Sequence, residues 1–466
     1  MRTLIVNGTV VTAEGSVRAD VLVDGEQVAL VEPDLPARGV TAEATVDAAG
    51  RWVVPGAIDV HTHFELPLGG TVAKDTWATG TTAAAFGGTT TVIDFAAQQR
   101  GGSLRAGVDA SLAQAEGRAA IDYGLHIMVS DVNDASLAEM DLLVADGVPT
   151  FKLFTAYPET TMSDDGAIYR AMRRAAVDGG LVMIHAENGL AIDAIVAETI
   201  ALGRTEPVWH GRSRPAVLEG EATNRAIRLA EVAGVPVYIV HLSSRDALEE
   251  VRAARRRGTP AWAETCPQYL FLSLDDLDRP GFEGAKFVCS PPLRPRDHQE
   301  DLWDGLAAGD LQAVATDHCP FDFHGQKELG RGDFRRIPNG LPGIEDRVDL
   351  VHHGGVAAGR FGPERWVDIV ATTPAKLFGL YPRKGTIAPG SDADLVIYDH
   401  ARRRTISAAT HHMNVDYSCY EGLEVQGAAD LVMSRGAVLV RDGTWVGPAG
   451  HGRFLRRAPA TFARGA

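Results

Sequence analysis

The feature that most restricts what this chain can fold into is the texture of its middle. From about Gly56 to about Leu380, short apolar runs alternate with longer stretches rich in Ala, Arg and Glu. Eight of the short runs read as strands: GAIDVHTH (56–63), TTTVIDF (89–95), YGLHIMV (123–129), TFKLF (150–154), LVMIHAE (181–187), VPVYIVHLS (235–243), AWAETCPQYL (261–270) and QAVATDH (312–318). The stretches between them, such as YRAMRRAAVDGG (169–180) and ATNRAIRLAEVAG (222–234), carry strong helix formers and end at glycine, as helices do. Strands that are apolar throughout need cover on both faces, and alternation with helices supplies that cover in a parallel sheet. Eight such units predict an α/β fold, a (β/α)8 TIM-like barrel. An open doubly wound sheet is the other solution with this alternation.

The ends of the chain differ from the middle. LIVNGTVV (4–11) and ADVLVDGEQVALV (19–31) alternate apolar and polar positions between Gly/Asp turns and read as a small antiparallel sheet. The same texture returns in GSDADLVIYD (390–399) and AADLVMSRGAVLVRDG (428–443), where RG and DG suit tight turns. The expected organisation is a small β-sandwich built from residues 1–54 and 383–466, the latter including a C-terminal tail, around a barrel of residues 55–382. That is two domains, where a length of 466 residues permits about three.

Charge and composition exclude whole classes of partner. Lys and Arg number 45 against 61 Asp and Glu, a formal charge of −16, with no clustered basic stretch. Nucleic acid and anionic membrane are both held through Lys and Arg, so neither is expected as the main partner. No run approaches the roughly 18 apolar residues of a membrane span, and MRTLIVNGTVVTAEG lacks the basic head and apolar core of a secretion signal, so a cytoplasmic location is expected. Cys266, Cys289, Cys319 and Cys419 form no Cys-x-x-Cys pair; they read as reduced, buried thiols.

Polar residues recur where the barrel strands end. His61 and His63 close the first, Lys152 sits in the fourth, His185 and His241 end the fifth and sixth, and Asp317 ends the eighth. A barrel brings all strand ends to one face, where such folds place their chemistry. Strand side chains alternate, so His61 and His63 point the same way and can grip one ion from one side. Neutral imidazole is a good ligand for zinc and neighbouring divalent metals. Lys152 is flanked by Phe151, Leu153 and Phe154, where burial favours a neutral amine. Such an amine can take up carbon dioxide to form a carbamate that bridges two metals; the alternatives are a lysine that snorkels out or pairs with Asp317. Asp317 can ligate a metal and shuttle a proton, or can cap a following helix.

At this point the sequence resembles a known family, the cyclic amidohydrolases of the dihydropyrimidinase/D-hydantoinase group. The resemblance rests on PGAIDVHTHFELPLGGTVAKD (55–75), AAFGGTTTVIDF (84–95), FKLFTAY (151–157), HAENG (185–189), HLSS (241–244), ETCPQYL (264–270), CSPPLR (289–294), TDHCPF (316–321), GQKELGRGDF (325–334), IPNGLPGIEDR (337–347) and THHMNVDY (410–417). It implies two divalent metal ions, Zn2+ with Mn2+ or Co2+ as alternatives. His61, His63 and Asp317 would hold the more buried ion and His185 and His241 the second, with Lys152, carbamylated by CO2 to N6-carboxylysine, as the bridge. It implies that a metal-bridging hydroxide opens a dihydropyrimidine or 5-substituted hydantoin to an N-carbamoyl amino acid. Asp317 would move the proton, Tyr157 would support the substrate carbonyl and its oxyanion, and Ser290 and Asn339 would hold the ring amides. A homotetramer or homodimer is implied too, with the C-terminal segment at the contact.

Local residues narrow the subgroup. Dihydroorotases carry an Arg just after His-x-His that binds the substrate carboxylate; here the positions are Phe64, Glu65 and Leu66. Leu66, Pro67 and Leu68 would instead form an apolar wall for a ring substituent. Glu65 stands where the family pattern has Asp, and Pro158 where it has a basic or flexible residue; both are expected on loops bordering the substituent pocket. Allantoinase or another cyclic ureide hydrolase is the alternative enzyme. A non-catalytic scaffold relative is the alternative class, and retention of all six ligand-type residues argues against it. Cys319 is expected to pack rather than attack. His352-His353 and His411-His412 are expected at the surface or an interface, and the basic, Gly-rich loop 325–340 reads as a lid or a subunit contact.

Overall fold

A computed structural model describes residues 1–158 and 160–459; the last seven residues of the expected 383–466 segment lie outside that range. All eight expected barrel strands are present, parallel and adjacent in chain order: Ala57–Thr62, Thr89–Ala97, Asp122–Met128, Thr150–Phe154, Leu181–His185, Val237–Ile239, Ala261–Thr265 and Ala313–Val314. The doubly wound alternative is thereby set aside. The barrel closes between its first and eighth strands through a Thr62–His318 bridge and the His63 N–H, which donates to the His318 carbonyl at 2.8 Å. Buried Asp59 reinforces the seam, accepting the Thr316 N–H at 3.1 Å and its hydroxyl at 2.6 Å. The seventh strand is shorter than the run 261–270, because Cys266-Pro267 starts a helix, Pro267–Phe271, with proline in its first turn.

The helices follow from their sequences. In Arg245–Arg256 the apolar positions Ala247, Leu248, Val251 and Ala254 recur at helical spacing and are the buried ones. The Ser244 side chain caps the first turn, Asp246 lies in it, and Arg255 and Arg256 lie in the last, each sign matching the helix dipole. Ala216–Ala233 stops at Gly234, whose left-handed backbone (φ 70°) glycine adopts without penalty.

The two ends of the chain do build the second domain together, but not as a small antiparallel sheet. One four-stranded sheet runs in the order Gln27–Glu32, Asp20–Asp24, Arg2–Val6 and Ala44–Asp47, the last pair being parallel. A seven-stranded sheet joins Thr9–Thr12 and Gly15–Arg18 to the C-terminal strands through Trp52–Pro55, which is parallel to Thr9–Thr12 and antiparallel to Leu395–Thr405. Alternation alone reports that a strand has one buried face, not its neighbour's direction. Ile5, Val10, Val21, Val53, Leu395, Ile397 and Met433 share the core of this domain.

A buried ionic knot fastens the two domains at the foot of the third barrel strand. Lys384 Nζ lies 2.8 Å from Asp122 and 2.7 Å from Asp394, and Arg435 reaches Asp122 at 3.0 Å. The C-terminal segment then returns to the barrel: the Leu455 N–H donates to the Tyr123 carbonyl at 2.7 Å, and Arg457 is buried. His352 corrects an expectation. It is in the core, its ring centroid 5.3 Å from that of Trp366 and 5.2 Å from that of Tyr398, with Nδ1 donating to the Gln426 carbonyl at 2.7 Å. The helical turns from Arg347 to Ala357 press that side of the chain onto the sandwich sheet. His412 stacks on Phe86 and pairs with Glu345 at 2.8 Å. Among the described residues no helix is long and apolar enough to cross a membrane.

Candidate metal centre

The strand-end residues converge. His61 Nε2 and His63 Nε2 lie 3.1 and 3.2 Å from the same Asp317 oxygen, and the Lys152 ammonium donates to His61 Nε2 at 2.9 Å. Beside them His185 Nδ1 faces His241 Nε2 at 3.0 Å. All six side chains are buried or nearly so. Three of the residues that shape this floor and its rim hold left-handed backbone without being glycine: Tyr157 (φ 65°), His241 (φ 38°) and Asp317 (φ 52°). Such conformations cost about 1–3 kcal/mol each and persist where the surroundings impose them, commonly at functional sites. Asp317 caps no helix: the chain after it runs past Leu341, with which His318 bridges, so the capping alternative does not apply.

A second layer fixes which ring nitrogens face inward. His61 Nδ1 donates to Glu264 Oε1 at 2.5 Å, which leaves the Nε2 lone pair pointing at Asp317. Glu264 also accepts the Tyr238 hydroxyl at 2.9 Å and the His241 N–H at 3.1 Å. His185 Nε2 donates to Glu187 at 2.9 Å, so its Nδ1 lone pair faces His241. The inward lone pair of His61 thus faces an oxygen of Asp317, two acceptor atoms in a buried site, an arrangement a cation resolves. His61, His63 and Asp317 fit a divalent metal, their ligand atoms lying within 4.8 Å of one another.

The electrostatics agree. Burial, then the Lys152 charge, holds the His61 imidazole well below its ordinary range, and burial does the same at His241, so both are neutral donors. Burial lowers Lys152 to about 8 against the attraction of Asp317 and Glu264. Burial raises the Glu264 carboxyl to about 8, against the Tyr238 and His241 hydrogen bonds and the Lys152 charge; a divalent cation on His61 would lower it again, so that Glu264 would be a carboxylate in the metal-loaded site. Burial pushes Glu187 the same way, but Arg214, 3.5 Å away, and His185 outweigh it and bring it to about 2. The surroundings of Lys152 differ from the sequence expectation. Phe151 and Leu153 belong to the core on the helix side, while Phe95 and Phe154 face the amine, 4.4 and 5.2 Å from Nζ, because neighbours at i±1 in a strand point away.

The floor opens into a cavity of about 440 Å³. Leu66, Pro67, Leu68, Met128 and Phe154 supply its apolar wall, and Tyr157, Ser290 and Asn339 its polar one. Asn339 Nδ2 donates to the Ser290 hydroxyl at 3.2 Å. Burial and the nearby Glu187 charge keep the Tyr157 hydroxyl protonated. Cys319 lines the cavity, but burial raises its thiol far above neutrality, as suits a packing residue. Glu65 and Pro158 lie on loops that border the cavity, through Leu66 to Gly69 and through Tyr157, Thr160 and Thr161, but neither is itself a lining residue: Glu65 turns away, accepting from Trp77 N–H at 3.2 Å and pairing with Arg118 at 3.0 Å. Sequence reading passed over Glu264 and Glu187. The signal was there: a carboxylate inside the apolar run AWAET, and another two residues after His185 and therefore close to it.

Comparison with known proteins agrees with this geometry. The amidohydrolase family profile matches residues 52–439. The chain is 57% identical to a D-hydantoinase of Streptomyces coelicolor, over 99% of each chain. It is 49% identical to a D-hydantoinase of Geobacillus stearothermophilus, covering 98% of this chain and 97% of that one. The crystal structure of dihydropyrimidinase from Brevibacillus agri superposes with a TM-score of 0.97 at 49% identity, over the full length of both chains.

Proposed function

We propose, from the premise that this chain belongs to the amidohydrolase family and to its hydantoinase branch, that it hydrolyses cyclic amides, opening 5-substituted hydantoins or dihydropyrimidines to N-carbamoyl amino acids. The observation that carries this reading is the His61, His63 and Asp317 cluster at the floor of a cavity with one apolar and one hydrogen-bonding wall.

In this reading His61, His63 and Asp317 would hold one divalent cation and His185 and His241 a second, with Lys152, as N6-carboxylysine, the residue that would be shared between them. Support for the bridge is positional: the Lys152 amine meets the first cluster directly and, like the second, lines the cavity floor. Cations so held supply Lewis acidity, acidifying a water for attack and polarising the ring carbonyl.

The chain's own groups do the rest. Tyr157 donates a hydrogen bond to the ring carbonyl and to the oxyanion that develops from it. Asp317 accepts the proton of the attacking water and returns it to the departing ring nitrogen, so that water adds across the C–N bond. Ser290 and Asn339 hold the ring amides. Leu66, Pro67 and Leu68 receive the ring substituent, which selects apolar groups at that position. The same reading carries a cytoplasmic homotetramer, tested by fractionation and light scattering.

The deciding experiment is parallel turnover of 5-phenylhydantoin, dihydrouracil and allantoin by protein of measured metal content. Turnover of the first two well above the third is expected. Allantoin as best substrate would replace this reading with an allantoinase, and a folded, metal-free protein with no turnover would replace it with a scaffold.

A further inference from the structure

Lys327, in the Gly-rich loop 325–340, is fully buried. Its ammonium donates to three carbonyls, Val288 at 2.9 Å, Pro338 at 2.7 Å and Gly340 at 2.8 Å, which uses all three of its donors. Among the described residues no carboxylate pairs with it. The groups around it are the Phe321 ring, 5.8 Å from Nζ, and the thiols of Cys289, Cys319 and Cys419, all kept protonated by burial. Burying a cation against dipoles alone is costly, and an apolar side chain would fill the same space at less cost if filling were its only task.

The three carbonyls belong to two segments. Val288 lies two residues before Ser290, and Pro338 and Gly340 flank Asn339. The segments also meet directly: the Gly340 N–H donates to the Val288 carbonyl at 3.0 Å, and Asn339 Nδ2 to Ser290 Oγ at 3.2 Å. Gly340 holds φ 150° with its α-carbon against strand eight's extension; a Cβ there would lie 2.3 Å from the Cys319 carbonyl. Ser290, Asn339 and Gly340 all line the cavity.

We infer that Lys327 is a positioning residue for the substrate ring. By drawing the carbonyls of both segments onto one ammonium, it fixes how they present Ser290 and Asn339 to the cavity. The inference rests on the cyclic-amide reading above for what the two segments hold. It also assigns the loop a task that is neither lid nor subunit contact: the loop delivers a pin from behind the binding wall.

The test is Lys327→Met in metal-replete full-length protein, with Lys327→Gln as the milder variant that keeps two N–H donors. For Lys327→Met, KM for 5-phenylhydantoin is expected to rise about tenfold, the change that goes with one lost charge-assisted hydrogen bond, while kcat falls much less. Lys327→Gln should lie between. Hydrogen exchange followed by mass spectrometry should show faster uptake across 287–291 and 337–341, with metal content and uptake in the barrel strands unchanged. Unmoved KM and exchange would overturn the inference, and so would recovery of both variants only as unfolded protein, which would make Lys327 a folding element. Wild-type protein that opens no cyclic amide would sink the functional reading instead; the exchange measurement needs no turnover and still decides the positioning.

Discussion

Glu264→Gln isolates what the second layer of the site contributes. Glu264 Oε1 accepts from His61 Nδ1 at 2.5 Å and from the His241 N–H at 3.1 Å, and Oε2 accepts from the Tyr238 hydroxyl at 2.9 Å. One carboxylate therefore sets the tautomer of a residue in the first cluster and anchors the backbone of a residue in the second. A glutamine can keep its oxygen at the Oε1 position and turn its NH2 toward the Tyr238 oxygen, so all three contacts survive and only the charge is lost. Charge-assisted hydrogen bonds contribute about 1.5–3 kcal/mol against about 1 kcal/mol for neutral ones. The His61 contact should therefore weaken by about 1–2 kcal/mol, which corresponds to about a 5- to 30-fold loss of metal affinity and lies within the range found for partners of metal-bound histidine. Chelator competition, with metal content read by mass spectrometry, measures it, and thermal melting checks that the fold is intact. Affinity unchanged within about twofold would refute the argument that Glu264 tunes His61. Complete loss of metal from a folded protein would refute it differently, by making Glu264 a ligand.

Other changes test other parts of the molecule. Lys152→Ala should abolish metal binding and turnover, with partial recovery when short-chain carboxylic acids are added; a variant with full metal content and normal turnover would remove the lysine from the bridge. Tyr157→Phe should lower kcat by about 10²–10³ with a smaller effect on KM, as for loss of one oxyanion donor, and steady-state kinetics read the split. Lys384→Met leaves buried Asp394 without a cation among the described residues and Asp122 with Arg435 alone, and should destabilise the protein by about 3–5 kcal/mol in denaturant unfolding.

How much of this was legible in the sequence varies by element. The barrel was, because each strand and helix carries its own local signature and the order of elements admits few topologies. The floor of the site was legible for the same reason: once the strands are parallel, residues at their C-terminal ends must meet. Pairing direction in the terminal sheets was not, since Trp52–Pro55 takes neighbours from Thr9–Thr12 and from Leu395–Thr405, and nothing local to any of these strands names the others. His352 misled in a related way: adjacency in sequence to His353 carries no information about which face of the turn the sandwich covers.

The chain's periodicities thus determined its architecture, and its strand-end histidines, lysine and aspartate determined where chemistry can occur. Both follow from covalent order and local geometry. Only the tertiary structure decided the partners of those groups: Glu264 on His61, 203 residues away in sequence, and Lys327 on carbonyls of two segments. Such contacts form between groups that approach only once the barrel has closed, so their identity depends on distances in space that spacing along the chain does not encode.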